Sequence, residues 1–322
     1  LTVSIATQEH SLDAVSIGLT ADVLWTDDLP SADVIAARTR LEHWTGVHNL
    51  DAQTARAFAD AARGVIQRME STRDQRYPGV LDRATALFTD LRYDEGAAHS
   101  QVLAAGYEAR LVALAEQVRT AVSGGAPGLP AMESAFADLL SHDKAGTDRA
   151  TTMARMAVRL TRWLALAEGP QPSTLDQAVL RQAREGAYVD WAAADVWVGS
   201  TTPELAAAWS ELFSAVRRRR DTQDARFAEL LADATSRGVL PDQLVPVESV
   251  ISAVLQPVTS SENRALLIVI DGMSTAVAAE LTEQALRTGW FEAVPAADEA
   301  RTATLAVLPT LTRYSRTSLS PA

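Results

Sequence analysis

From the first residue to about residue 257, almost every patterned stretch of this 322-residue chain repeats apolar side chains at spacings of three and four. A half-buried strand needs alternation at two, so this spacing confines most of the chain to helices packed on helices. Val34, Ala37, Leu41 and Trp44 follow a candidate N-cap at Ser31, and Ala57, Ala61, Val65 and Met69 continue the pattern after Asp51. A run from Val102 through Leu114 to Val122 stops at Gly124 and Gly125, and one from Met153 to Leu164 closes at Gly169 and Pro170. Further helices are predicted after Ser173 and after Thr202, the latter with Pro203 at the first helical position. The sequence thus predicts a mostly α protein with a helical region over 1–257, subdivided near 124–130 or 169–173.

Composition narrows the function classes. Aromatic residues are only 6%, so the core must rest on Ala, Leu and Val. Cysteine is absent, which excludes disulfides, zinc–thiolate sites, iron–sulfur clusters and thiol nucleophiles, and agrees with a cytoplasmic location. No stretch approaches the roughly 18 uninterrupted apolar residues of a membrane helix, so no membrane association is expected. A formal charge of -12 argues against a surface devoted to nucleic acid. A local basic run remains at Arg217 to Arg220, with Arg226 beyond it. It reads either as a weak nucleic-acid contact or as a solvated helix face balanced by Asp221, Asp224 and Glu229.

The pattern changes after Pro257. Thr259 to Asn263 reads as a linker, and Ala265 to Ile270 is six consecutive apolar residues ending at Asp271-Gly272. Such a run, bounded by turn residues, suits a parallel strand buried on both faces. A helix over about Ser274 to Leu286, short strands at Phe291 to Val294 and Thr302 to Leu308, and a helix beginning near Thr312 are predicted to follow. That order is the opening of an α/β domain, residues 258–322.

Two residues in this part have chemical reach. Asp271 stands at the carboxyl end of the first predicted strand and Thr312 beyond the last, at the sheet edge where α/β folds bind ligands. A carboxylate there suits a divalent cation, and a hydroxyl at a helix N-terminus becomes nucleophilic if the same cation lowers its pKa. The plainer alternatives are an Asp-Gly turn and a helix cap shared among Thr310, Thr312 and Ser315.

Leu267 to Ser274 (LIVIDGMS), followed by Leu308 to Leu319 (LPTLTRYSRTSL) and preceded by the lead-in Val250 to Pro257, resembles the PglZ domain. PglZ proteins belong to bacterial phage-defence systems of the Pgl and BREX (bacteriophage exclusion) kind, and their defining domain to the alkaline phosphatase superfamily of two-metal phosphoesterases. The resemblance covers about 246–322 and implies that the α/β part has the alkaline phosphatase fold. It implies Asp271 as a metal ligand, Thr312 as nucleophile and metal ligand, and Ser315 and Arg316 as contacts to a substrate phosphate, with a structural salt bridge as an equal reading of Arg316. It also implies a divalent metal, zinc or similar, in the full-length protein, and other BREX or Pgl proteins as partners.

That superfamily completes its metal sites with Asp and His residues after the nucleophile. Here all five histidines, His10, His43, His48, His99 and His142, lie upstream. The catalytic domain is therefore expected to be incomplete in this chain, and the chain alone to hold no metal and hydrolyse no phosphoester. A second reading makes the helical region a docking module for other defence proteins, with Tyr188, Trp191, Asp195 and Val198 at helical spacing as either core or contact surface.

Overall fold

Helices account for most of the residues described by the computed structural model, which are 13–26, 31–239, 244–259, 264–294 and 303–319. The first helices are α1 (Ala14–Leu24), α2 (Ala32–Thr45), α3 (Ala52–Ser71), α4 (Tyr77–Asp90), α5 (Ala104–Gly124), α6 (Leu129–Leu140) and α7 (Arg149–Ala165). Next come α8 (Leu175–Arg181), α9 (Ala187–Trp197) and α10 (Pro203–Arg237). Then α11 (Thr275–Arg287) and α12 (Thr312–Leu319) lie in the C-terminal part. The chain divides into one unit of 1–117 with 128–155 and another of 118–127 with 156–322.

In the first unit α1 is the hub, packed on α3 and α4. It is apolar nearly all round, which is the pattern of a helix enclosed by others. Ile17, Leu19 and Leu24 are buried, along with Leu41 from α2, Ile66 from α3 and Phe88 from α4. Close approach of α1 to α3 depends on Gly18: a Cβ there would stand 2.4 Å from the Cβ of Ala62. Polar groups on the same helix are tied across: Ser16 Oγ donates to the Val80 carbonyl at 2.9 Å and Arg63 Nε to Asp22 Oδ2 at 3.0 Å.

The Ser31 cap is realised, its Oγ accepting from the Val34 amide, and Gly46 ends α2 in the left-handed conformation at φ 67°. The stripe on α3 differs from the predicted one. Ala55, Ala59, Ala62, Ile66 and Met69 face inward, whereas Ala57 and Ala61 are exposed and Val65 is 43% exposed. The inward face carries the larger apolar side chains Ile66 and Met69, and Ala62 on it meets Gly18 of α1.

In the second unit α10 carries the buried stripe Leu205, Trp209, Leu212 and Val216. A π-helical turn, Gln182–Gly186, joins α8 to α9. Its C-terminal part departs from the predicted order. Ala265 to Ile270 pairs with no strand among the described residues, and Phe291 to Val294 is irregular. Of the third predicted strand, Thr304–Leu305 is extended and pairs in parallel with Val245–Pro246, in the register Val245 to Thr304 and Pro246 to Leu305. The partner strand carries no sequence signal of its own, because two residues around a proline show no period. This pair packs on Leu175 and Val179 of α8 and Ala234 of α10. The helix α11 starts where predicted, with Ser274 Oγ accepting from the Val277 amide, and packs on α9.

Candidate functional site

The site is built by two local stops. Gly272 adopts φ 71°, a left-handed conformation that glycine enters without steric cost, and it turns the chain from the apolar run into α11. Asp271 is thereby left at the turn, partly exposed. At the other stop the Leu308-Pro309 peptide is cis, the Leu311 amide donates to the Pro309 carbonyl at 2.7 Å, and the Leu311 carbonyl accepts from the amides of Tyr314 and Ser315. Thr312 is thus the first residue of α12, as expected from sequence.

The two stops meet. Arg316 Nη2 lies 3.3 Å from Asp271 Oδ2. Thr312 precedes Arg316 by four residues on one helix and Ser315 follows Thr312 by three, so the three side chains share a face. The Thr312 hydroxyl is exposed and has no hydrogen-bond partner among the described residues. Arg313 adds a second exposed guanidinium, and α12 holds no carboxylate of its own, so its first turns favour an anion.

Among the described residues the donors brought together at this site, one carboxylate and one hydroxyl with the carboxylate already serving Arg316, do not fit the several protein ligands of a stably held two-metal site. Among the described residues no group of three or more His, Asp or Glu side chains is arranged to hold a metal.

Residues 250–322 match the family described as the BREX system PglZ alkaline phosphatase-like domain, and residues 1–102 match the BREX system PglZ second domain. Between them the two matches span more than half of the chain. The chain is a PglZ-domain protein of a BREX system. It is therefore a component of a phage-defence system, with a helical part and an alkaline phosphatase-like part. No curated protein and no solved structure matches it.

The arginine run of this PglZ protein is turned partly inward. Arg219 lies 4.1 Å from the Trp163 ring centroid and donates to the Trp163 carbonyl at 2.7 Å, and Arg220 is 5% exposed. Arg217, paired with Asp221 at 3.0 Å, and Arg218 stay on the surface. Sequence reasoning missed the inward pair, although a signal existed: extending the stripe Leu205, Trp209, Leu212, Val216 by helical steps lands on Arg220 and Gln223. Among the described residues no helix is long and apolar enough to cross a membrane.

Proposed function

We propose that residues 250–322 supply the phosphate-facing rim of a phosphoesterase domain, with Thr312 as the nucleophile and Ser315 and Arg316 as contacts to phosphate oxygens. The observation that supports this reading is the ion pair between Arg316 and Asp271, which draws the two halves of the motif to one place. Because the pair is largely exposed, it is worth only about 0–1 kcal/mol and yields easily to a phosphate oxyanion, which a guanidinium binds in bidentate fashion. A divalent metal, where further donors join Asp271, would supply charge neutralisation of the phosphoryl group. With the donors described, Asp271 positions Arg316 instead.

The reading is tested in two steps. This chain, given divalent metal and a chromogenic phosphodiester, is expected to show no turnover, while inorganic phosphate binds and loses about tenfold in affinity in Arg316→Ala. In a PglZ protein with demonstrated hydrolysis, the threonine that aligns with Thr312 is expected to abolish turnover when changed to Ala and to leave partner capture unchanged. Phosphate binding that is indifferent to Arg316→Ala would remove the rim from consideration.

A second reading, that the helical part docks other BREX proteins in the cytoplasm, is favoured by one surface feature. Trp197 at the end of α9 is 69% exposed and Val198 beside it 58% exposed, with the Trp197 ring 4.6 Å from that of Phe213. Trp197→Ser is the matching test: loss of co-purification with other BREX proteins, with α9 still folded by circular dichroism, is the outcome expected of a docking surface.

A further inference from the structure

Arg220 and Arg316 both meet carboxylates, on opposite terms. Arg220 is buried and fixed from several sides, its Nε donating to Asp190 Oδ1 at 3.0 Å, Nη1 to Gln223 Oε1 at 2.7 Å and Nη2 to Gln182 Oε1 at 2.7 Å. The Arg316 side chain is 70% exposed, and its Nη2 stands 3.3 Å from Asp271 Oδ2. That is longer than the roughly 2.7–2.9 Å of a well-formed charge-assisted bond. Asp271 is the less mobile partner. Its side chain is short, and its backbone leads into the left-handed turn at Gly272 and the Ser274 cap of α11.

The position of this contact matters for the phosphate rim. Arg316 lies one turn after Thr312 on α12, and helical side chains lean toward the helix N-terminus, so its guanidinium reaches back toward the turn of Thr312. Nη2 is the nitrogen that both forks of a guanidinium share, end-on with Nη1 and side-on with Nε. A carboxylate on Nη2 therefore stands beside either fork by which a phosphate could be gripped, and sets one anion against another. The helix α12 has no carboxylate of its own, so this acid comes to the guanidinium from the other half of the motif.

We propose that Asp271 guards the phosphate rim: its carboxylate occupies Arg316 in the free protein and must be displaced for an oxyanion to bind. This rests on the reading of Arg316 as a phosphate contact, and it adds the sign of the neighbouring carboxylate's effect. A metal ligand, or a residue that only orients Arg316, raises phosphate affinity, whereas a guard lowers it. The salt bridge and the phosphate contact are then successive uses of one side chain. The exchange needs rotation of a long, exposed arginine and no movement of the backbone. Because an exposed ion pair is weak, the guard is worth no more than about two- to fivefold in affinity.

Titration of the chelator-treated chain with inorganic phosphate, followed by phosphorus NMR at about 0.15 M ionic strength, tests the proposal. Asp271→Ser is expected to bind phosphate about two- to fivefold more tightly than the parent. Serine suits a turn, so the melting temperature should stay close to the parent's. In the Arg316→Ala background the same substitution should gain distinctly less, because only the screened repulsion of the carboxylate is then removed. Asp271→Glu, which keeps the charge, should show no gain. Equal or weaker binding by Asp271→Ser, a gain as large without Arg316, or an equal gain in Asp271→Glu would each overturn the guard and leave Arg316 as a phosphate contact. Phosphate binding that ignores Arg316→Ala in both the parent and Asp271→Ser would overturn the reading of the rim, and the guard with it.

Discussion

The helix α1 and the run Ala265 to Ile270 are both short and strongly apolar, yet they end in opposite environments. Ile17 and Leu19 in α1 are 1% exposed, whereas Leu266 is 84% and Ile268 70% exposed. The difference follows from where each segment finds its backbone partners. A helix closes its own hydrogen bonds and needs only neighbours for its side chains. An extended run must find partners along both edges, and two covered faces as well if it is apolar throughout. Hydrophobicity alone therefore fixes burial for α1 and leaves it open for 265–270.

The largest effect that sharpens this contrast is Ile17→Ala. Removing a fully buried β-branched side chain at the centre of the first unit is expected to cost about 2–5 kcal/mol in denaturant melts. Gly18→Ala comes next. Alanine gains up to about 1 kcal/mol of helix propensity over glycine. The added Cβ must nevertheless displace Ala62, which stands 2.4 Å away, and overpacking of that kind costs about 1–3 kcal/mol. Net destabilisation is expected, with partial recovery in the double variant Gly18→Ala, Ala62→Gly. A stable Gly18→Ala protein would mean that α1 and α3 are free to move apart.

What the sequence could tell about this molecule divides along the same line. The cap at Ser31 and the helix starts after Asp51 and near Ser274 were legible because each is settled within one turn of helix. The α3 face was legible as well, since Ile66 and Met69 mark it, although the stripe expected through Ala57, Ala61 and Val65 is not the buried one. The parallel pairing of Val245–Pro246 with Thr304–Leu305 joins segments almost sixty residues apart, and no local pattern announces it. At the candidate site the turn at Asp271 and the helix start at Thr312 were both readable, but their meeting through Arg316 was not.

Polar groups in the helical part can depend on distant partners too, and His142 shows how pH reports it. Its ring is 2% exposed, Nδ1 accepts from the Lys144 amide, and Nε2 lies 3.1 Å from the Leu103 carbonyl, to which it donates as the neutral tautomer. Burial lowers its pKa below the ordinary histidine value, with the Leu103 carbonyl opposing that shift. The unfolded chain therefore takes up the proton first. Stability is expected to be unaffected well above about pH 6.5 and to fall as pH drops through that value, levelling off once the folded ring also protonates. Melting temperatures of the parent and of His142→Gln between about pH 7.5 and pH 5 check this: the parent should decline more steeply.

The smallest effect is the most exacting for the comparison. Ile268 is 70% exposed, so Ile268→Thr removes little buried apolar surface and is expected to change stability by no more than about 0.5 kcal/mol, a tenth or so of the effect at Ile17. Thr keeps the β-branch and the extended preference, so backbone propensity is nearly constant and only the side chain's surroundings are read out. A loss of 2 kcal/mol or more would show that 265–270 is covered on at least one face in solution. The likeness of α1 and the apolar run in hydrophobicity would then extend to burial, and the contrast between them would reduce to how each satisfies its backbone.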